Sequence, residues 1–473
     1  MKIIGREKEQ KKLQEIIAST ESEFVAVYGR RRVGKTYLIR QMFKDNLAFS
    51  HTGIANADKR TQLSRFCNSL SNYSQSIKSK PTTWFAAFDL LKQYLERLSD
   101  DKKIIFLDEM PWMDTPKSNF LSALENFWNG WAATRGDIIL IVCGSATSWI
   151  INKLIRNHGG LHNRITKQIH LQPFSLYECE QYASYKKLGM GRQAVLETYM
   201  ALGGIPYYWN QLERFNSVAQ NMDCLFFNEN ATLKDEYNAL FASLFAKPTP
   251  HIAIVRALCN KKIGMTRNEI LQSTHLTDNI VFRQALAELT QCGFIRQYNS
   301  IGKKVKETIY QIIDFYILFH HHFIEGQRSS DSNYWSHHIG QPKVTVWYGL
   351  AFEKVCLMHS EQIKQALGIS GIASECYAWR TPANDNHPGA QIDLLIDRSD
   401  KVINICETKY HKVPFCIDRD YASALQQKAD IFRNVTATRK AIHITMITAN
   451  GLQHNEYWQT VQQELTIDQL FLS

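Results

Sequence analysis

Residues 24–36, F-V-A-V-Y-G-R-R-R-V-G-K-T, admit few folds. An apolar, β-rich run ends in G-x-x-x-x-G-K-T and passes into the helix-like Y-L-I-R-Q-M-F. The motif therefore stands between a strand and a helix, the setting that a phosphate-cradling loop needs. Gly29 and Gly34 permit its tight turn, and its backbone N–H groups converge on phosphate. Gly29, Arg30, Arg31, Arg32, Val33, Gly34, Lys35, Thr36 and Tyr37 are thus nucleotide-binding candidates. Lys35 is the catalytic cation expected to reach the β- and γ-phosphates, and the Thr36 hydroxyl the expected Mg²⁺ ligand. Three neighbouring arginines cannot all touch one nucleotide, so at least one is expected to pair with a carboxylate.

The second part of such a site follows at 102–112, K-K-I-I-F-L-D-E-M-P-W. Four apolar residues end in Asp108-Glu109, where a Walker B element belongs. An acid at the exit of a buried parallel strand can hold Mg²⁺ through water. Glu109, next to it, is placed to polarise the attacking water, which points to hydrolysis and not to binding alone. A third apolar run, D-I-I-L-I-V-C-G-S-A-T, ends at Gly144-Ser145. Ser145 is the candidate that senses the γ-phosphate or orients water. ATP and Mg²⁺ are the expected cofactors.

Together these motifs resemble the P-loop ATPases of the AAA+/STAND type common in archaea and many bacteria. The opening I-I-G-R-E-K-E, residues 3–9, resembles that family's adenine-side G-R-E-x-E, and the resemblance makes Gly5 and Arg6 nucleotide-side candidates. The loop arginines, F-L-D-E-M-P-W, and L-H-N-R-I-T-K-Q-I-H-L-Q-P-F-S at 161–175 are of the same kind. The family usually sets Tyr-Gly before the arginine of this last string, where His162-Asn163 stand here. Arg164 is accordingly either a finger for a neighbour's nucleotide or a structural arginine. G-G-I-P at 203–206 resembles the G-x-P element by which STAND-type ATPases approach the nucleotide from a helical subdomain. The resemblance has specific motifs over residues 1–210 and is looser beyond. It implies an α/β AAA+-type core with a parallel sheet.

At 473 residues the chain exceeds one core, and 44% hydrophobic with 21% charged residues excludes wholesale disorder. Its longest apolar runs are strand-sized, too short to span a bilayer. The N-terminal stretch has no export-type apolar segment, so a cytoplasmic location and no membrane partner are expected. Ten cysteines stand singly with no C-x-x-C pair, which argues against a zinc ribbon or a disulfide framework. A formal charge of +10 is compatible with DNA as a partner without requiring it.

Rhythm divides the chain into a P-loop core (1–180), a helical lid (181–245), a winged helix (246–325) and a C-terminal domain (334–473), with the polar G-Q-R-S-S-D-S-N at 326–333 as linker. In the third segment three short helical patterns precede K-K-V-K-E-T-I-Y-Q-I, which alternates like a strand. Thr266 and Asp278 are expected N-caps and Gly293 a helix stop. From Arg256 to Tyr310 there are nine Lys or Arg against four Asp or Glu. That excess suits a phosphate-facing surface, although winged helices in such ATPases also serve as packing modules. H-H-H at 320–322 reads as the end of an apolar helix.

The C-terminal segment has a helix bearing Phe352 and Glu353, then Q-I-D-L-L-I-D-R-S-D-K-V-I-N-I-C-E-T-K-Y at 391–410. Alternation puts Gln391, Asp393 and Leu395 on one face of a first strand, and Ile403, Ile405, Glu407 and Lys409 on one face of a second. If the strands pair about the D-R-S-D-K turn, Asp393 and Glu407 converge as metal ligands, with Glu407 and Lys409 as catalytic candidates. Helix-with-Glu, strand-D, strand-E-x-K resembles the PD-(D/E)xK nuclease fold, a small restriction-endonuclease-like α/β domain, though Ile392 stands where its proline belongs. Three readings stay open: an ordinary hairpin, a metal-free domain that grips nucleic acid or protein, and a working metal site. The function expected is ATP hydrolysis that controls a DNA-directed, nuclease-like domain. The competitors are an ATP switch acting through a homo-oligomer or protein partner, and a DNA-binding ATPase that does not cut.

Overall fold

The computed structural model of the chain describes residues 2–44, 46–74, 80–156, 159–298, 308–327, 329–385 and 387–473. They divide into two compact units, Met1–Pro173 and Phe174–Ser473.

The first unit is built on strands β1 (Glu23–Tyr28), β2 (Leu47–Thr52), β3 (Lys103–Asp108), β4 (Ile138–Gly144) and β5 (Lys167–His170). All pair in parallel, in the order β2-β3-β4-β1-β5. β3 and β4 are buried along their whole length, which is why they read as continuous apolar runs and not as alternation. Helices α1 (Glu7–Ala18), α2 (Lys35–Phe43), α3 (Lys59–Tyr73), α4 (Trp84–Leu95) and α5 (Phe120–Gly130) accompany the sheet. Asp58 and Thr83 cap α3 and α4 by accepting from Thr61 N–H and Ala86 N–H. One core joins Phe24 of β1, Phe49 of β2 and Leu107 of β3 to Phe66, Trp84 and Phe88 of α3 and α4. Because β4 lies between β1 and β3, the C-terminal ends of three strands stand side by side on one edge, the place where open α/β sheets put their ligands.

In the second unit, helices Thr249–Cys259, Arg267–Thr274 and Ile280–Gln291 accompany a three-stranded antiparallel sheet. Its strands β6 (Met265–Thr266), β7 (Ile295–Tyr298) and β8 (Ile309–Ile312) run in the order β6-β8-β7. Residues 299–307, which hold the first half of the strand expected at 303–312, lie outside the described residues, and its second half is β8. Thr266 and Glu269 form a capping box at the second helix, and Gly293 ends the third with a φ of 73°. The third helix starts one residue later than expected. Asn279, and not Asp278, accepts from Phe282 N–H, while the Asp278 carboxylate takes the guanidinium of Arg267.

Past the polar stretch at 326–333 the chain is tied down at once. Asp223 accepts from Trp335 N–H at 2.7 Å and from Ser336 N–H at 3.1 Å, so an acid from an earlier segment caps helix Tyr334–His338. The histidines at 320–322 have separate duties: His320 stacks on Tyr237, His321 bonds Glu325, and His322 bonds the Leu318 carbonyl. The C-terminal sheet has five strands, in the order β15 (Gln463–Leu465), β13 (Ala441–Thr448), β11 (Val402–Lys409), β10 (Ala390–Arg398) and β9 (Ser374–Thr381). Strands β9, β10 and β11 form an antiparallel meander. The amphipathic helix Arg419–Thr436 then crosses to β13, parallel to β11, with β15 beyond it. Two further short strands, β12 (Phe415–Cys416) and β14 (Leu452–Gln453), pair with each other. Among the described residues no helix is long and apolar enough to cross a membrane.

His51 at the end of β2 is buried against Phe66 and bonds Ser69 Oγ through Nδ1 at 2.9 Å. Burial of this ring lowers its pKa to about 4. The folded state thus binds fewer protons here than the unfolded chain, so stability is full above pH 6.5 and falls toward pH 4. The loss at this site is at most about 3 kcal/mol. Urea titrations across pH 4–7 should show a shallower decline for His51→Asn than for wild type, and equal slopes would remove the assignment.

Candidate functional site

β1 delivers the chain into the loop at Gly29, whose φ of 145° and close packing demand glycine: a Cβ there would lie 2.3 Å from the Leu171 carbonyl oxygen. Gly34 has a φ of 93° and opens α2. Within the turn the buried Lys35 ammonium donates to the carbonyls of Gly29 and Arg30, both at 2.9 Å, so its reach is directed along the loop. Arg30 is buried, Arg31 and Arg32 are half-buried, and Arg32 holds a left-handed φ of 71°. The N-terminal segment is anchored to the same loop. Arg6 is buried, and its guanidinium donates to the Val33 carbonyl at 3.2 Å. The Tyr37 hydroxyl donates to the Lys2 carbonyl at 3.3 Å, and Gln10 holds the Gly5 carbonyl at 2.6 Å.

Thr36 Oγ1 donates to the buried Asp108 carboxylate, 3.1 Å from Oδ1 and 3.0 Å from Oδ2. A hydroxyl and a carboxylate meeting at the strand ends are hard oxygen donors of the kind Mg²⁺ takes, so the residues present fit the ion. Asp108 Oδ1 also accepts from the backbone N–H of Glu109, at 3.0 Å. Glu109 itself has a φ of 46°, a left-handed conformation unusual for a residue with a side chain. Its Oε2 accepts twice from Ser145, from the hydroxyl at 2.9 Å and the N–H at 3.2 Å. The residue expected to sense phosphate therefore also orients the expected base. Gly144 permits this approach, since a Cβ there would come within 2.7 Å of the Pro111 ring.

Two neighbours were not legible beforehand. Cys143 is fully buried, and burial first, with the Asp108 and Glu109 charges adding, pushes its thiol well above the usual range. His170, stacked on Tyr28, is held below the ordinary imidazole range by burial and by the Lys35 charge. Arg164 lies exposed in the turn before β5, with its backbone N–H on the Leu161 carbonyl. In the second unit, Gly203-Gly204-Ile205-Pro206 starts helix Pro206–Asn210 and is pinned where Phe174 N–H meets the Gly204 carbonyl.

In β11 the predicted alternation holds, with Ile403, Ile405, Glu407 and Lys409 all on the side of helix Arg419–Thr436, whereas the acid of β10 is arranged differently from the alternation predicted for it. The β9–β10 pairing shifts register between Ile392 and Leu395, and both these residues enter the core with Ile403, Ile405 and Phe432. The irregularity turns Asp393 away from that core, toward Glu353 on helix Pro342–Met358. Lys262, in the turn before β6, donates to Glu353 at 2.7 Å and lies 3.3 Å from Asp393 Oδ2. Glu407 has other partners: Lys428 Nζ at 2.5 Å and the Tyr421 hydroxyl at 3.3 Å, both from helix Arg419–Thr436. The Lys409 ammonium lies over the Tyr421 ring, 5.1 Å from its centre. Among the described residues Asp393 and Glu407 thus share no partner, and the expected convergence is not seen. Among the described residues no three His, Cys, Asp or Glu side chains are grouped to hold a metal. Burial and the neighbouring Asp393 raise the Glu353 pKa to about 7. Burial lowers that of the adjacent Lys354 to about 8.

A phosphate-cradling loop, an acid pair after β3 and a polar residue after β4 on one parallel sheet define a P-loop ATPase. Residues 3–212 match a family described as an ATPase domain predominantly from Archaea, and this match supports ATP binding and hydrolysis by that part of the chain. Among solved structures, the Walker-type ATPase PABY2304 of Pyrococcus abyssi is 18% identical with a TM-score of 0.50, over 68% of this chain and 96% of that one. At that identity the likeness is one of fold. The ORC2 protein of Aeropyrum pernix, solved with ADPNP and ADP, is 16% identical with a TM-score of 0.42, over 68% of this chain and 93% of its own. An uncharacterized protein of Methanocaldococcus jannaschii, MJECL04, is 24% identical over 88% of this chain and 89% of its own length.

Since the Ser145 hydroxyl supplies the shorter of the two described hydrogen bonds on Glu109 Oε2, and alanine keeps only the N–H bond, Ser145→Ala should leave ATP affinity within about threefold and lower phosphate release about tenfold. Steady-state turnover and nucleotide titration on the same variant check this; unchanged turnover would show that Glu109 needs no such support.

Proposed function

We propose that the chain is a Mg²⁺-dependent ATPase whose nucleotide cycle governs a DNA-directed second unit. The observation that supports this most is the row Lys35, Thr36–Asp108 and Glu109–Ser145 along three adjacent strand ends. In this reading the loop N–H groups and Lys35 bind the phosphates, and Arg6 braces the loop from the adenine side. Glu109, held by Ser145, takes the proton of the attacking water. Asp108 and Thr36 would hold Mg²⁺, which when bound neutralises charge on the β- and γ-phosphates. Arg164, exposed, remains available to a neighbouring copy or to solvent.

Three helices with a small antiparallel sheet suit a winged helix. Helix Ile280–Gln291 begins with Ile280 and Val281, which are 78% and 51% exposed, followed by the exposed Arg283. An apolar pair beside an arginine at a helix start matches what a major groove offers, thymine methyls next to phosphates and base edges. The C-terminal order of helix, antiparallel meander, crossover helix and parallel strand suits a restriction-endonuclease-like domain with Glu353, Asp393, Glu407 and Lys409 as its candidates. One observation favours the second reading, an ATP switch with a metal-free terminal domain: lysines of the same chain already pair with all three of these acids.

Two measurements test the proposal. Glu109→Gln should retain ATP and lose at least about a hundredfold in phosphate release; persistent turnover would exclude Glu109 as the base. Arg283→Ala in the full chain should weaken duplex binding several-fold and make the salt dependence shallower by about one unit of log–log slope. Unaltered affinity and slope in fluorescence anisotropy would leave the three-helix module as a packing element.

A further inference from the structure

The turn that carries Lys262 is unusually well fixed. Gly264 has a φ of 96°, and a Cβ there would sit 2.3 Å from the Tyr310 carbonyl oxygen. The Gly264 N–H closes on the Lys261 carbonyl at 3.0 Å. The Lys262 carbonyl accepts from Gln311 Nε2 at 2.7 Å and lies 3.5 Å from Lys354 Nζ, and the Ile263 carbonyl accepts from the Tyr298 hydroxyl at 2.6 Å. Arg296 in turn positions Gln311, donating to its Oε1 at 2.8 Å. The backbone is thus clamped on both sides, and the lysine side chain is delivered between two carboxylates from two other elements, Glu353 of helix Pro342–Met358 and Asp393 of β10. A single positive nitrogen already bridges Glu353 and Asp393, at 2.7 and 3.3 Å. That spacing shows that the two acids can share one cation. A cavity of about 20 Å³ opens beside them, lined by Lys262, Tyr298, Gln311, Lys354 and Gln391 among others. This is room for a water and little more.

Lysine is a compact point charge on a flexible stem, so it can occupy a cation position and also leave it. Among the described residues it is the Lys262 backbone, and not its ammonium, that holds this turn to the three-helix module, through Gln311. From this geometry we propose that Lys262 is an intramolecular plug. Its ammonium holds the place between Glu353 and Asp393 that a divalent cation would otherwise take, and the C-terminal module binds such a cation only when the Lys262 turn withdraws. The inference rests on the nuclease-like reading of that module, and it makes the three-helix module the element that keeps it closed. DNA engagement that pulls on the three-helix module would then be a route to opening.

The test is Mn²⁺ binding to the full-length protein, followed by electron paramagnetic resonance in an Asp108→Asn background so that the nucleotide site does not contribute. Lys262→Ala and Lys262→Gln should each bind Mn²⁺ at least about tenfold more tightly than the Lys262 parent. Adding Glu353→Gln should abolish the gain. The glutamine variant keeps a polar side chain in the turn, so it guards against a folding defect in the alanine one. Equal Mn²⁺ affinity in the parent and in the folded variants overturns the proposal, as does a gain that survives Glu353→Gln. Plasmid incubated with the same proteins separates the two readings. Tighter Mn²⁺ binding with intact DNA keeps the plug and removes cleavage, whereas nicking that Lys262 does not affect keeps cleavage and removes the plug.

Discussion

The Thr36 hydroxyl, at the start of α2, donates to the Asp108 carboxylate at the end of β3, and β4 lies between β3 and β1, the strand that leads into the Thr36 loop. The bond is placed by β3, β4 and β1 being parallel neighbours, which brings their C-terminal ends to one edge. The same order sets Ser145, at the end of β4, beside Glu109, at the end of β3. The middles of the three strands are buried and apolar, so the polar side chains of the row gather at or beyond their C-terminal ends. The bond also ties α2, the helix that follows the loop, to the end of β3. A side chain lost from this row would therefore cost chemistry more than stability, since the strand cores stay intact.

The second unit shows the opposite relation of charge to packing. Its carboxylates are met by lysines from neighbouring elements: Lys262 for Glu353 and Asp393, Lys428 for Glu407. Half-buried acids of this kind need a positive partner, because an unpaired charge in such surroundings is costly. The partner can be a metal ion or a side chain, and here side chains fill the role. That choice sets the state of the module. An acid pair bridged by a lysine is closed to other cations for as long as the turn carrying it stays docked.

The nucleotide unit was legible because its signals are local. The loop, its flanking strand and helix, and the acid pair after a four-residue apolar run are each contiguous in the sequence. The capping box at Thr266 and the glycine stop at Gly293 were legible for the same reason. What escaped depends on contacts distant in sequence or on irregular backbone. The register shift between Ile392 and Leu395 redirects Asp393, and no residue type in that strand announces it. Lys262 lies 91 residues from Glu353, in a turn whose lysines read only as surface charge. Ser145 could be placed at a strand end, but its grip on Glu109 follows from a left-handed φ at Glu109 that β-strand periodicity does not foretell. Asp278 lost its expected cap to Asn279 because two arginines compete for its carboxylate.

The role proposed for the Thr36–Asp108 pair is to make ATP hydrolysis depend on Mg²⁺. It is tested most directly by phosphate release from saturating ATP, titrated with Mg²⁺, in wild type and Asp108→Asn. Wild type should show turnover that requires the ion. The variant should lose at least about a hundredfold of it and need higher Mg²⁺ for what remains. Turnover in Asp108→Asn that matches wild type at every Mg²⁺ concentration would contradict the account.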